Sequence, residues 1–201
     1  MLEPDEGKLS SPVHRGKRSR EAPDLPGIIG CSVTSNSLGR YGRRTLMNIL
    51  GISGSPREKG NSEILLEYAL KPFKENGWTI ETLRLSNLSV KPCQGCDFCI
   101  DNNRCIIDDD MEKFYSAFNR CNAIIISSPV YYRTVTAQLL SVFHRYYAVK
   151  DRKLLECKPG GAIAVGRSSG GGGQSITINQ IYTWMLSCGV MAVPGELNGL
   201  T

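Results

Sequence analysis

From residue 47 onward, short apolar runs alternate with segments of helical spacing, and few folds accept that alternation. MNILGIS (47–53), WTIETLRL (78–85), NAIIISSP (122–129), GAIAVGR (161–167) and VMAVP (190–194) have the length and residue types of strands. Between the first two, Leu65, Leu66, Ala69, Leu70 and Phe73 recur at helical spacing, and Gly77 supplies a stop. In DDDMEKFYSAFNR (108–120), Met111, Phe114, Tyr115 and Phe118 form one stripe behind acidic residues suited to a helix start. TVTAQLLSVFHRYYAV (134–149) places Val135, Leu139, Leu140 and Phe143 on one face, and SITINQIYTWMLSCG (175–189) gives a last helix. Near-continuously apolar strands alternating with helices predict an α/β fold, a parallel sheet covered on both faces. Ligands of such sheets sit beyond the carboxyl ends of the strands, where the strand order reverses.

Residues 1–46 lack this pattern. They are rich in Pro, Gly, Ser and Arg with no sustained period, and are expected to form a disordered extension ahead of one domain, 47–201. They carry 8 of the 24 basic and 5 of the 19 acidic residues, so the domain itself is only about +2 and shows no nucleic-acid stripe. No apolar run approaches the roughly 20 residues of a membrane-spanning helix, and no secretory signal opens the chain. A soluble protein of the reducing cytoplasm is expected.

GSPREKGNS (54–62) joins the first strand to the first helix, where backbone amides and the helix dipole favour an anion. Ser53, Ser55, Asn61 and Ser62 supply neutral donors and Arg57 a charged fork, a set suited to a monophosphate. The loop lacks the lysine of a Walker loop and does not read G-x-G-x-x-G. The plainer alternative is a turn with Asn61 or Ser62 as helix cap.

Four of the eight cysteines fall in CQGCDFCIDNNRC, spaced C-x2-C-x2-C-x5-C. In a reducing compartment such crowding points to metal or redox chemistry rather than disulfides. Short spacings bend a chain around a cubic [4Fe–4S] cluster, which takes one thiolate per iron. Zinc usually takes two separated pairs and fits less well. A redox-active thiol loop without metal is the third option. Cys121, Cys157 and Cys188 lie in or near apolar segments and are expected to pack. His144 and His14 have no nucleophile motif beside them, and Asp108, Asp109 and Asp110 are expected to cap a helix.

ILGISGSPREKGNS, SSPVYYRTVTAQL and the four-cysteine loop ending in DDDM together resemble the iron-sulfur flavoproteins, in the NADPH-dependent FMN reductase branch of the flavodoxin-like fold. The resemblance implies a five-stranded sheet in the order 2-1-3-4-5 with FMN at its carboxyl edge. It assigns Ser53, Ser55, Arg57, Asn61 and Ser62 to the FMN phosphate. Ser128, Pro129, Val130, Tyr131 and Tyr132 fall beside the flavin ring, and Gly170 and Gly171 lie in a third flavin-side loop. Cys93, Cys96, Cys99 and Cys105 match the cluster ligands.

The function this implies is electron transfer between a one-electron carrier such as ferredoxin and a two-electron, small-molecule acceptor, with NAD(P)H a further donor. A homodimer or homotetramer is expected. The family continues into a last helix where this sequence ends in ELNGLT, so that helix is expected to be missing. Two alternatives stay open: an NAD(P)H-dependent FMN or quinone reductase without a cluster, and a zinc-stabilised interaction domain.

Overall fold

In the computed structural model, strand β1 (Asn48–Ser53) carries no charge and is buried along almost its whole length, as suits an inner strand of the sheet. The structure describes residues 47–149, 151, 153–167 and 173–193, and the expectations for 1–46, for Gly170 and Gly171, and for the chain end after Val193 lie outside them. The remaining strands are β2 (Thr79–Arg84), β3 (Ala123–Pro129), β4 (Pro159–Val165) and β5 (Met191–Ala192). All pair in parallel in the order β2-β1-β3-β4-β5, the order the resemblance implies. Ser53 faces Arg84 of β2 on one side and Ser127 of β3 on the other, so the strand order reverses between β1 and β3. That is the switch point at which such sheets hold ligands.

The helices are α1 (Asn61–Glu75), α2 (Phe98–Asn102), α3 (Met111–Arg120), α4 (Ala137–Arg145) and α5 (Gly173–Ser187), with a 3-10 turn at Tyr146–Ala148 after α4. Side chains alternate across the strands. Leu50 and Ile52 of β1 join Ile124 and Ile126 of β3 under Phe114, Phe118, Leu139 and Ile181 from α3, α4 and α5. Ile49 and Ala123 face the other way, under Leu66 and Leu70 of α1. Gly51 allows that second contact, because a Cβ there would lie 2.7 Å from Leu70 Cδ1. Phe143 stacks on Trp184 with ring centroids 4.5 Å apart, fixing α4 against α5.

Cys121 and Cys188 are buried packing thiols as expected, whereas Cys157 lies partly exposed in the turn before β4, at φ 60°. The sequence runs that predict strands overshoot at the sheet edge: β4 stops at Val165 and β5 has two residues. Among the described residues no helix is long and apolar enough to cross a membrane.

Candidate functional site

The loop from β1 to α1 is stiffened from within. Ser55 is buried, and its hydroxyl accepts from Arg57 N and donates to Arg57 O, both at 3.0 Å. The helix cap is Gly60, with no side-chain cap bond, so Asn61 and Ser62 are the first helical residues rather than the caps of the plainer alternative. Glu63, also buried, accepts from Lys59 N at 2.7 Å and pairs with Arg84 at the end of β2. That pair ties the far end of the loop to the sheet.

The loop after β3 makes a tight reversal. Tyr131 and Thr134 exchange backbone hydrogen bonds of 3.0 and 3.1 Å, with Tyr132 at φ 51° and Arg133 at φ 67° between them. Bulky residues seldom take this left-handed conformation, and such outliers gather at binding sites. Thr136 then joins the two loops. Its hydroxyl donates to Gly54 O at 2.6 Å and accepts from Leu139 N at 3.3 Å, while its own N donates to Ser128 Oγ at 3.3 Å.

Ser55, Arg57, Asn61 and Ser62 thus face Pro129, Val130 and Tyr131 across one cavity of about 530 Å³ at the switch point. The volume suits a cofactor-sized ligand. Gly60, Val165, Gly166 and Arg167 complete the lining, and none of the four was singled out from the sequence. Gly166 and Arg167 read there as strand continuation, which hid a second cation at the cavity.

Three of the expected residues are not in that lining. Ser53 is buried at the strand end, Ser128 is buried with its hydroxyl donating to Pro129 O, and Tyr132 is fully exposed. The first two pack within the ends of β1 and β3, and Tyr132 projects away from the fold.

The cysteine loop leaves the sheet after β2 and returns at α3. Positive φ at Gly95, Asp97 and Asn103 folds it back on itself around the one-turn helix α2. Cys93, Cys96, Cys99 and Cys105 all line one small cleft of about 20 Å³, together with His144 and Arg145 from the end of α4 and Tyr147 from the 3-10 turn after it. Burial pushes the Cys99 thiol up, and the nearby sulfurs of Cys105, Cys93 and Cys96 add to the shift. Among the described residues, no three His, Cys, Asp or Glu side chains converge closely enough to hold a single metal ion. The four thiols, a donor set of the kind that takes one iron each in a cubic cluster, ring one cleft without converging on a point.

Beneath the cleft lies a buried ion pair. Arg145 Nη1 donates to Asp109 Oδ2 and to Lys91 O, each at 2.9 Å, and Nη2 donates to Asp109 Oδ1 at 3.1 Å and Ile107 O at 3.3 Å. Asp109 also accepts from Lys91 N at 2.9 Å and Met111 N at 3.1 Å. Burial pushes its carboxyl up, but the Arg145 fork and the two backbone N–H groups reverse this and hold it below the ordinary carboxylate range. Asp110 holds Ser89 N at 2.8 Å, so the acidic run does more than start a helix. Tyr115 donates to Arg145 O at 2.9 Å, and burial pushes its hydroxyl up to about 12.

Residues 47–198 match the family model described as NADPH-dependent FMN reductase. The chain belongs to that family. An iron-sulfur flavoprotein of Methanosarcina thermophila is 40% identical over 148 residues, covering 73% of this chain and 77% of that protein. Another, from Methanocaldococcus jannaschii, is 39% identical, covering 70% and 72%. Among solved structures, an azoreductase from Bacillus anthracis superposes with a TM-score of 0.58 at 15% identity, covering 72% of this chain and 83% of that one, a likeness of fold. As an FMN reductase family member the chain is a flavin-dependent oxidoreductase, related by sequence to the iron-sulfur flavoproteins.

Proposed function

We propose that this oxidoreductase carries FMN in the switch-point cavity and a [4Fe–4S] cluster on Cys93, Cys96, Cys99 and Cys105. It would pass electrons between a one-electron, ferredoxin-like carrier and a two-electron small-molecule acceptor. The observation that carries the reading is the pairing of two separate sites: a phosphate-type loop opposite Tyr131, and a cleft ringed by four thiols. The names of the related flavoproteins support it.

Flavin exchanges one or two electrons and a cubic cluster one at a time, so together they join two kinds of electron traffic. The protein's part is positional. Arg57 offers a charged fork to the phosphate, with the Ser55, Asn61 and Ser62 side chains and the first-turn amides of α1 beside it. Pro129, Val130 and Tyr131 wall the ring, with Ser53 and Ser128 beneath them as packing rather than contact. Tyr132 follows Tyr131 in the same loop with its side chain fully exposed, and Gly170 and Gly171 would allow close backbone approach. A homodimer or homotetramer fits the family, and a reducing cytoplasm would preserve the thiols.

A second reading, an NAD(P)H-dependent FMN or quinone reductase with empty cysteines, is favoured by the family's description as NADPH-dependent. The absorption spectrum of anaerobically purified chain separates the two. Flavin bands with a broad iron-sulfur shoulder, and about four each of iron and acid-labile sulfide, support the first. Flavin bands with neither iron nor sulfide leave the second, and a colourless protein containing zinc sinks both.

A further inference from the structure

We propose that Arg145 is a positioning residue for the centre held by the four cysteines, and that its idle Nε–H is the donor reserved for a sulfur of that centre. This rests on the [4Fe–4S] reading given above.

Arg145 is 1% exposed, a rare setting for a guanidinium. Its two Nη atoms are fully engaged, while Nε is buried and has no partner among the described residues. Native structures seldom leave a buried donor idle, and one that lines a cleft marks a missing acceptor. The cleft Arg145 lines is the one ringed by Cys93, Cys96, Cys99 and Cys105.

The positions of its partners add a second, independent argument. Lys91, whose carbonyl takes Nη1, lies two residues before Cys93; Ile107, whose carbonyl takes Nη2, lies two residues after Cys105. One planar fork therefore sets the distance between the points where the chain enters and leaves the thiol loop. A lysine has a single ammonium and cannot span the same carbonyls with fixed angles.

Asp109 neutralises the guanidinium, so what Arg145 offers the centre is a directed N–H dipole rather than a net charge. Hydrogen bonds to the sulfurs raise a cluster's reduction potential. Arg145 touches no reacting atom of the substrate and acts through the loop and the sulfurs.

The test uses the full chain, reconstituted anaerobically with ferrous iron and sulfide, as wild type and as Arg145→Lys, Arg145→Gln and Asp109→Asn. Iron and sulfide per chain, the cluster's midpoint potential and flavin content are measured. Arg145→Lys is expected to keep flavin and most of the iron, with the reduced-to-oxidised ratio at fixed potential lowered at least tenfold, about 59 mV for one electron. Arg145→Gln is expected to keep flavin and lose most iron and sulfide, and Asp109→Asn to shift the ratio less than Arg145→Lys. Should Arg145→Gln also lose its flavin, the other two variants decide. A loaded wild type with variants that match it within twofold in iron, sulfide and redox ratio overturns the proposal alone. A wild type that holds flavin but takes up no iron or sulfide overturns the cluster reading, and the proposal with it.

Discussion

Replacing Thr136 by Val is the sharpest probe of how the two loops at the switch point are held together. The side chain is 0% exposed, so water cannot stand in for a lost partner. Valine has nearly the volume of threonine and leaves no cavity, so the change isolates the hydroxyl. Two bonds disappear: the 2.6 Å donation to Gly54 O and the 3.3 Å acceptance from Leu139 N that caps α4. Stranding a buried partner costs about 1–3 kcal/mol and losing a helix cap about 1 kcal/mol. The two overlap at Leu139, so a total near 3 kcal/mol is expected. For a domain of this size each kcal/mol moves Tm by about 2–4 °C, which puts the drop at about 6–12 °C. Differential scanning calorimetry of the flavin-free chain reads it without interference from cofactor loss. Thr136→Ser keeps the hydroxyl and loses one methyl, for which about 1 kcal/mol is expected. A Val variant that melts within about 2 °C of wild type would refute the claim that this hydroxyl fastens the two loops.

Other consequences can be checked alongside. Arg57→Ala should weaken FMN binding by about 1.5–3 kcal/mol, roughly tenfold to a hundredfold or slightly more, read by flavin fluorescence titration; a change under twofold would remove Arg57 from the phosphate site. Gly54→Ala should destabilise the fold by about 1–3 kcal/mol in urea unfolding, because a Cβ would sit 2.9 Å from Leu139 Cδ2 and 3.0 Å from Ser127 O; an unchanged midpoint counts against the packing. Asp109 is held below its ordinary value of 3.8, so its stabilising share is complete above that pH and fades as pH falls through the lower folded value. Wild type should therefore lose stability more steeply below about pH 4 than Asp109→Asn, and parallel curves would contradict this. Cys96 is exposed, so Cys96→Ala should abolish the iron-sulfur shoulder while flavin binding and Tm stay at wild-type levels.

The sheet was legible because each strand announces itself over five or more neighbouring residues, and burial on both faces makes those runs uniformly apolar. The loop that lines the switch-point cavity was legible for the same reason, being continuous in sequence from Ser53 to Ser62. What escaped notice depends on partners distant in the chain. Asp109 and Arg145 stand 36 positions apart, and from its neighbours alone the aspartate looks like a helix cap, whereas the cap position falls to Asp110 and Asp109 accepts from Met111 N one residue further in. Ser53 and Ser128 sit in the right segments, yet alternation along the strands turns them inward, and only the pairing register reveals which way they face. Gly166 and Arg167 were absorbed into a strand that ends earlier, since apolar pattern does not mark where pairing stops. Helix α2 spans five residues, too short for any period to register.

The thiol loop is held at its two ends by one arginine and one aspartate, and between those ends no hydrogen bond among the described residues ties it to a strand. Injury to it, whether oxidation of a sulfur or escape of whatever the sulfurs grip, therefore has no strand to unzip. The segment sits like a fuse in its holder, outside the circuit of strands that gives the rest of the fold its shape.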